Sequence, residues 1–340
     1  MGAAGLIPST HARARRPVRR PGAGPVSGAP PHHTPSGFRN PGEPPRGLGA
    51  VAAWMLTRRR TPWPRHIPNP SYPPPGDVPA GSVGVTFVGH STVLLRFGLG
   101  GGRVFAVLTD PQWSRRCSPV QWAGPERVRA PGLAMDALGQ VDCVVVSHNH
   151  YDHMDLPTLG ALHRRFGAPV VTGLGNARTM GRGTELDWWD EARVGPLRVA
   201  ATPAQHFSSR GLGDRNRALW CGFALDVGGG RVLFAGDSGY GGHWRLIRER
   251  LGAPALALLP VGAYLPRSVM APVHMDPAEA VQAMADLGAP HAVGMHFGTW
   301  QLTDEGVDAP VDGLRAACAA AGRAGFGVLG FGETRVWGLG

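Results

Sequence analysis

A chain of 340 residues, 43% of them apolar, can bury a substantial core as one large domain or two ordinary ones, so a globular class is expected. Its formal charge of +10 would ordinarily point to nucleic acid or an anionic surface, but residues 1–66 hold eleven arginines against one acid, Glu43, while the remaining 274 hold 23 charges of each sign. Nucleic-acid binding would rest on the front arm alone and is not expected, and the absence of any lysine excludes a Schiff-base nucleophile and a phosphate-loop lysine.

Residues 1–45 are rich in Pro, Gly, Arg and Ala, a composition that cannot bury enough apolar surface to offset ordering, and a disordered arm is expected there. The first 31 residues contain arginine pairs but no apolar signal-peptide core. The run "LGAVAAWML" at 48–56 is about half of what a membrane-spanning helix needs. A soluble, cytoplasmic chain in peripheral contact with membrane is expected. A short helix around 47–59 leads into "TPWPRHIPNPSYPPPGDVP", an extended linker, so that 46–82 form a connecting unit and 83–340 the catalytic domain.

From residue 83 short apolar runs alternate with Gly and Asp: "VGVTFVGHSTVLLRF", "RVFAVLTDP", "VDCVVVSH", "APVVTG", "LRVAATPAQHF", "CGFALDVGGGRVLFAGD", "ALALLPVG" and "HAVGMHFG". These predict strands. Helices are predicted at 156–166, 241–251, 276–287 and 311–322. The third opens with Asp276 as N-cap and Pro277 at its first position. Cys117, Cys143, Cys221 and Cys318 are far apart and show no CxxC pairing, which points to a reducing compartment rather than a disulfide scaffold.

The chemistry is concentrated at strand ends. His148, His150, Asp152 and His153 follow the strand "CVVVSH". On an extended or turning segment alternate residues share a side, so His148 and His150 can grip one metal while Asp152 and His153, past the turn, face a second. His206 ends "TPAQH", Asp237 ends "VLFAGD" and His296 follows "AVGM". Four strand ends supplying imidazole or carboxylate are what a two-metal site requires. In this reading His148, His150 and His206 hold one metal, Asp152, His153 and His296 the other, and Asp237 bridges. Two divalent ions roughly 3.5–4 Å apart activate a bridging water for hydrolysis. Ligation by nitrogen and oxygen without thiolate suits two zinc ions, with iron or manganese compatible with the same donors.

The stretch "SHNHYDH", with its later His, Asp and His, resembles the HxHxDH signature of the metallo-β-lactamase superfamily. That resemblance implies an α/β fold, an αββα sandwich of two mixed β-sheets flanked by helices with the dinuclear site at one edge. "FVGHSTVLL", "LTDPQWSRRCSPVQWAGPERV", "ELDWWDE", "TPAQHF", "FAGDSGY", "GAYLPR", "HMDPAEAV" and "MHFGTW" narrow it. In order and near-spacing these are similar to the N-acylphosphatidylethanolamine phospholipase D family over about residues 83–335. The family implies attack on a phosphodiester, releasing phosphatidic acid and an N-acylethanolamine, with Gln121 and His274 near the substrate phosphate.

Read from the residues, His274 precedes a helix N-cap and could present a proton donor to a leaving oxygen. Asp152 can be ligand and proton acceptor together. Arg210, four residues after His206, could contact a phosphate oxygen. His90 in "VGHST" is more readily a structural residue than a hydrogen-bonding support of the site. Arg58, Arg59 and Arg60 with Trp54 and Trp63 could press the arm against an anionic lipid surface. Expected partners are a phospholipid or other phosphodiester substrate, a membrane surface and a second copy of the chain as a homodimer. The competing readings are a sugar-phosphate lactonase, which would want a small polar pocket rather than an open apolar groove, a nucleic-acid-processing phosphodiesterase, and a non-catalytic metal-dependent binding protein.

Overall fold

The computed structural model describes residues 30–211 and 213–340. Two short strands, β1 (His33–Thr34) and β2 (Gly37–Phe38), and the helix α1 (Leu48–Thr57) come first. A hairpin sheet then grows from β3 (Ser82–Gly89), β4 (Thr92–Gly100) and β5 (Arg103–Thr109). It continues through β6 (Cys143–Val146), α2 (Leu156–Phe166), β7 (Val170–Gly173), α3 (Ala177–Met180) and β8 (Thr184–Leu186). The second half runs β9 (Glu191–Val194), β10 (Leu197–Thr202), β11 (Gly222–Asp226), β12 (Arg231–Phe234), α4 (His243–Leu251), β13 (Leu256–Pro260) and α5 (Arg267–Met270). It closes with α6 (Pro277–Leu287), β14 (His291–Met295), α7 (Ala309–Ala320), β15 (Phe326–Val328) and β16 (Thr334–Gly338).

The strands form two seven-stranded mixed sheets, β16-β3-β4-β5-β6-β7-β8 and β15-β14-β13-β12-β11-β10-β9. The last strand crosses back to pair antiparallel with β3. Alternation along β6 shows why the layers stack. Cys143 and Val145 join the main core between the sheets with Phe87, Trp220 and Phe234, whereas Val144 and Val146 join a second core under α2 with Leu159 and Leu162. A strand buried on both faces reads as an unbroken apolar run, which is what "CVVV" is. The helices of the second half cover the other outer face: Trp244 and Ile247 of α4 and Val281, Met284 and Leu287 of α6 belong to the main core. The result is the expected αββα sandwich.

Direction places the site. β12, β13 and β14 pair in parallel, and β10 is related to β12 by two antiparallel steps through β11. The carboxyl ends of β10, β12 and β14 therefore lie on one edge of their sheet. That is the edge where His206, Asp237 and His296 follow.

The helix α6 carries the expected cap: Asp276 accepts from the Glu279 amide at 2.9 Å, Glu279 accepts from the Asp276 amide at 3.0 Å, and Pro277 opens the helix. Such a cap contributes about 1 kcal/mol. The expected arm does not hold for its last part, since residues 30–45 are docked, and residues 1–29 lie outside the described residues. His32 and His33 bond Asp187 at 2.6 and 2.8 Å, and composition hid these specific contacts. Part of the aromatic and arginine group that could press against lipid is also turned inward. Trp54 Nε1 and Arg58 Nε donate to the two oxygens of Asp304 at 2.6 and 2.8 Å, and Trp63 Nε1 donates to the Glu305 carbonyl at 2.8 Å. Arg59 and Arg60 remain exposed.

Candidate metal centre

The loop after β6 and the three strand ends of the second sheet bring seven side chains together, five buried and two, His150 and Asp152, half-buried. His150 Nδ1 lies 2.8 Å from His148 Nε2 and 3.2 Å from His206 Nε2. Beside this trio, Asp152 Oδ2 is 3.4 Å from both His153 Nε2 and His296 Nε2. Asp237 Oδ2 stands between the groups, 3.0 Å from His153 Nε2, 3.1 Å from His296 Nε2 and 3.8 Å from His206 Nε2. The backbone is forced to make this possible. At Gly236 (φ 62) a Cβ would fall 2.7 Å from Ser147 Cβ, so only glycine lets Asp237 approach the β6 loop. His296 adopts φ 64, a left-handed conformation that costs a histidine of order 1–3 kcal/mol and persists only where the surroundings over-determine it.

One buried carboxylate missed in the sequence, Asp110 at the end of β5, fixes the protons. Its Oδ2 accepts from His153 Nδ1 at 2.6 Å and from Ser147 Oγ at 2.6 Å, and its Oδ1 accepts from the Ser147 amide at 2.7 Å. With its hydrogen committed to Asp110, Ser147 Oγ accepts from His148 Nδ1 at 2.8 Å. His206 Nδ1 donates to the Val273 carbonyl at 2.9 Å. In these three rings Nδ1 carries a hydrogen, so Nε2 is the atom each turns inward. His148 Nε2 and His206 Nε2 both face His150 Nδ1, at 2.8 and 3.2 Å, and the three nitrogens could share one cation.

The electrostatics say the same. Burial and the neighbouring imidazoles of His153, His150 and His206 hold His148 well below the ordinary histidine range. Burial, with His206, lowers His150 to about 3, and burial lowers His206 to about 4. The trio is therefore neutral at pH 7, the state that binds metal. His153 and His296 behave oppositely. Burial acts to lower both, but Asp237, Asp152 and Asp110 outweigh it at His153 and lift it well above the usual range, while Asp237 and Asp152 lift His296 to about 9. Without a metal these two sites hold protons where a cation would sit. Burial raises Asp152 and Asp237, yet the facing histidines drive both well below the carboxylate range. The Nε2 atoms of His153 and His296 are buried without a hydrogen-bond partner, and the donor set fits two divalent cations.

His90 donates from Nε2 to Asp152 Oδ2 at 2.9 Å and so supports the carboxylate; burial, with His296 beside it, lowers it to about 3. A cavity of about 360 Å³ opens on the cluster, walled by Val51, Trp54, Phe207, Val269, Met270 and Val273. His274 lines it, with a buried and unpartnered Nδ1, and burial holds it well below the histidine range and therefore uncharged. Two cations missed in the sequence, Arg46 and Arg215, also line the cavity. Neither sits in a motif, so no local signal marks them.

Two expected substrate contacts are not placed at the cavity. Arg210 donates from Nη1 to the Asn149 and Met154 carbonyls, both at 2.9 Å, with its guanidinium 4.0 Å over the Tyr151 ring. It braces the loop that carries the candidate ligands. Gln121 is exposed and folds back on Arg116, accepting from its amide at 3.1 Å and donating to its carbonyl at 3.2 Å. Neither residue is among those lining the cavity. Spacing after His206 suggested Arg210 and the family resemblance suggested Gln121, and neither gives the direction of a side chain.

The family described as β-lactamase superfamily domain matches residues 106–297. Two relatives are each covered over 64% of their length. One is an uncharacterized protein of Mycobacterium tuberculosis, 40% identical over 70% of this chain. The other is an N-acyl-phosphatidylethanolamine-hydrolyzing phospholipase D of Caenorhabditis elegans, 34% identical over 64% of this chain. A metal-dependent hydrolase of Rubrobacter xylanophilus is 32% identical over 65% of this chain and 84% of its own length. Among solved structures, a metallo hydrolase from the archaeon Ignicoccus hospitalis superposes with a TM-score of 0.57 at 24% identity, covering 75% of this chain and 98% of that one.

Proposed function

We propose that this chain, which belongs to the metallo-β-lactamase superfamily of metal-dependent hydrolases, cleaves a phosphodiester in a phospholipase D-type reaction on N-acylphosphatidylethanolamine-like phospholipids. The observation that carries the reading is the apolar wall of the cavity that opens on the cluster. A small sugar phosphate would want polar lining, whereas each methylene of an acyl chain laid against Val51, Trp54, Val269 and Met270 contributes about 0.8 kcal/mol.

In this reading His148, His150 and His206 hold one cation, Asp152, His153 and His296 the second, and Asp237 is shared. Two zinc ions are proposed, and iron or manganese fit the same donors. When bound, such a pair lowers the pKa of water and neutralises charge developing on phosphoryl oxygens. The chain's own residues do the rest. Asp152 lines the cavity with its side chain 14% exposed and accepts a proton from the attacking water. His274, uncharged, donates an N–H hydrogen bond to the leaving oxygen. Asp110 and His90 hold His153 and Asp152 in register.

Membrane contact belongs to the same proposal. No helix among the described residues is long and apolar enough to cross a membrane. Met55 and Leu56 on α1 are 52% and 89% exposed, however, close in sequence to the cavity-lining Val51 and Trp54. The test is mass-spectrometric product analysis after zinc-loaded protein meets vesicles containing N-acylphosphatidylethanolamine. Asp152→Asn and chelated protein serve as controls. Phosphatidic acid and N-acylethanolamine released by the loaded parent alone are expected. Cleavage of a generic phosphodiester without lipid turnover would discard the lipid, and full activity in chelated protein would discard the metal reading.

A further inference from the structure

The segment from Pro30 to Arg46 touches the metal centre from outside the strands that build it. At one end His32 and His33 clasp the two oxygens of Asp187 at 2.6 and 2.8 Å, and the His32 ring stacks on Trp188 with centroids 4.1 Å apart. The hairpin then lies on the loop after β10. The Phe38 amide donates to the Asn216 carbonyl at 2.8 Å, and at Gly37 (φ +150) a Cβ would fall 2.0 Å from that oxygen, a spacing only glycine meets. At the other end Asn40, 8% exposed, accepts through Oδ1 from the His206 amide at 2.9 Å. Its Nδ2 donates to the Glu43 carbonyl at 3.1 Å, which fixes the orientation of the side-chain amide. Pro45 and Arg46 continue into the cavity wall.

His206 is thus held at two points, its ring by the Val273 carbonyl and its backbone by Asn40. Among the described residues no other acceptor meets the His206 amide. A buried amide left without an acceptor is costly, so the loop would move to find one and carry the imidazole with it.

We propose that Asn40 is a positioning residue for the metal ligand His206, and that the His32/His33–Asp187 clasp keeps it there. The amino-terminal segment is then a working part of the metal centre. This rests on the two-metal reading. The chemistry needed is modest: one neutral acceptor aimed at one backbone N–H, presented by a segment fastened at a remote carboxylate.

The test is zinc stoichiometry and affinity of the full chain, measured by competition with a chromophoric chelator, for parent, Asn40→Ala, Asn40→Asp and Asp187→Asn. The parent is expected to bind two ions. Asn40→Ala should weaken one of them about 10- to 100-fold, the range for losing a support of a ligand, and leave the other unchanged. Asn40→Asp, which keeps an oxygen facing the His206 amide, should restore that ion, and Asp187→Asn should weaken the same one. Both ions bound by Asn40→Ala within twofold of the parent would overturn the proposal. So would an unchanged Asp187→Asn, or an equal loss of both ions with a lowered thermal midpoint that Asn40→Asp does not rescue. A parent that fails to bind two ions would instead remove the two-metal reading.

Discussion

Asp110→Asn changes no volume and separates shape from proton placement. In the parent the carboxylate accepts three hydrogen bonds, from the Ser147 amide, Ser147 Oγ and His153 Nδ1, all at 2.6–2.7 Å. An asparagine that keeps its oxygen toward the Ser147 amide turns an NH2 toward two groups that are themselves donors. His153 then either loses its partner or adopts the other tautomer, which places hydrogen on Nε2, the atom facing Asp237 at 3.0 Å. Ser147 Oγ turns as well and releases His148 Nδ1. One substitution therefore disturbs a ligand on each side of the cluster. Loss of a carboxylate behind a metal-binding histidine lowers affinity about 10- to 100-fold, or about 1.4–2.8 kcal/mol. Buried donors left facing one another add about 1–3 kcal/mol of lost stability. Calorimetric zinc titration and chemical denaturation of the chelated protein read the two effects separately. An Asp110→Asn protein that binds both ions with parental affinity would refute the tautomer argument even if its stability had fallen.

Three further outcomes follow from the same geometry. Trp54→Ala removes an apolar wall and frees Asp304 from one donor, so KM for a long-chain phosphodiester should rise several-fold while kcat/KM for a small soluble phosphodiester changes little; equal effects on both would sink the acyl-wall reading. Arg210→Ala leaves the Asn149 and Met154 carbonyls without their donor and should cost about 1.5–3 kcal/mol of stability, with kcat falling more than KM rises; a pure KM effect would return Arg210 to the substrate. His243 is buried beside Ser238 Oγ at 3.0 Å, and burial lowers it to about 3 from an unfolded value of 6.5. Its neutral form is free of penalty above pH 6.5. As pH falls below that value the unfolded chain binds the proton first, so stability is lost by about 1.4 kcal/mol per unit, or about 2 kcal/mol at pH 5. Denaturant unfolding of chelated parent and His243→Gln at pH 7 and pH 5 should show a slope shallower in the variant by that amount, and parallel slopes would contradict it.

What could be read from the sequence was whatever a short stretch determines by itself. The run "CVVVSHNHYDH" carries both the strand and the candidate ligands, and "MDPAEA" carries both partners of a capping box, so each was legible without knowing the fold. Short edge elements such as β8, β15 and β16 were not, because three to five residues carry too little periodicity and their pairing is decided by strands far along the chain. Asp110 was hidden for a related reason. It sits in "LTDP", one more carboxylate after one more strand, and its role exists only because β5 and β6 are parallel neighbours that set it against Ser147 and His153. Side-chain direction was not legible either: Arg210, four residues after His206, and Gln121, given only by the family resemblance, both spend their side chains on backbone groups.

The arginine count misleads in the same way. In a chain without lysine, every cationic role falls to guanidinium, whose several donors in a rigid fork suit it to tie irregular backbone to a scaffold. Arg127 donates to the Ser114 and Gln112 carbonyls, both at 3.0 Å, and lies 4.8 Å over Trp300, the ring that packs against His90. Arg165 reaches the carbonyls of Met135, Asp136 and Leu138, and Arg58 holds Asp304. These guanidiniums fasten the long coils that follow β5 and β14. Charge committed to carbonyls inside the fold is charge that cannot track a phosphate backbone. Such arginines argue less for a polyanion clamp than for a scaffold whose loops are held rigid around a candidate metal-binding edge.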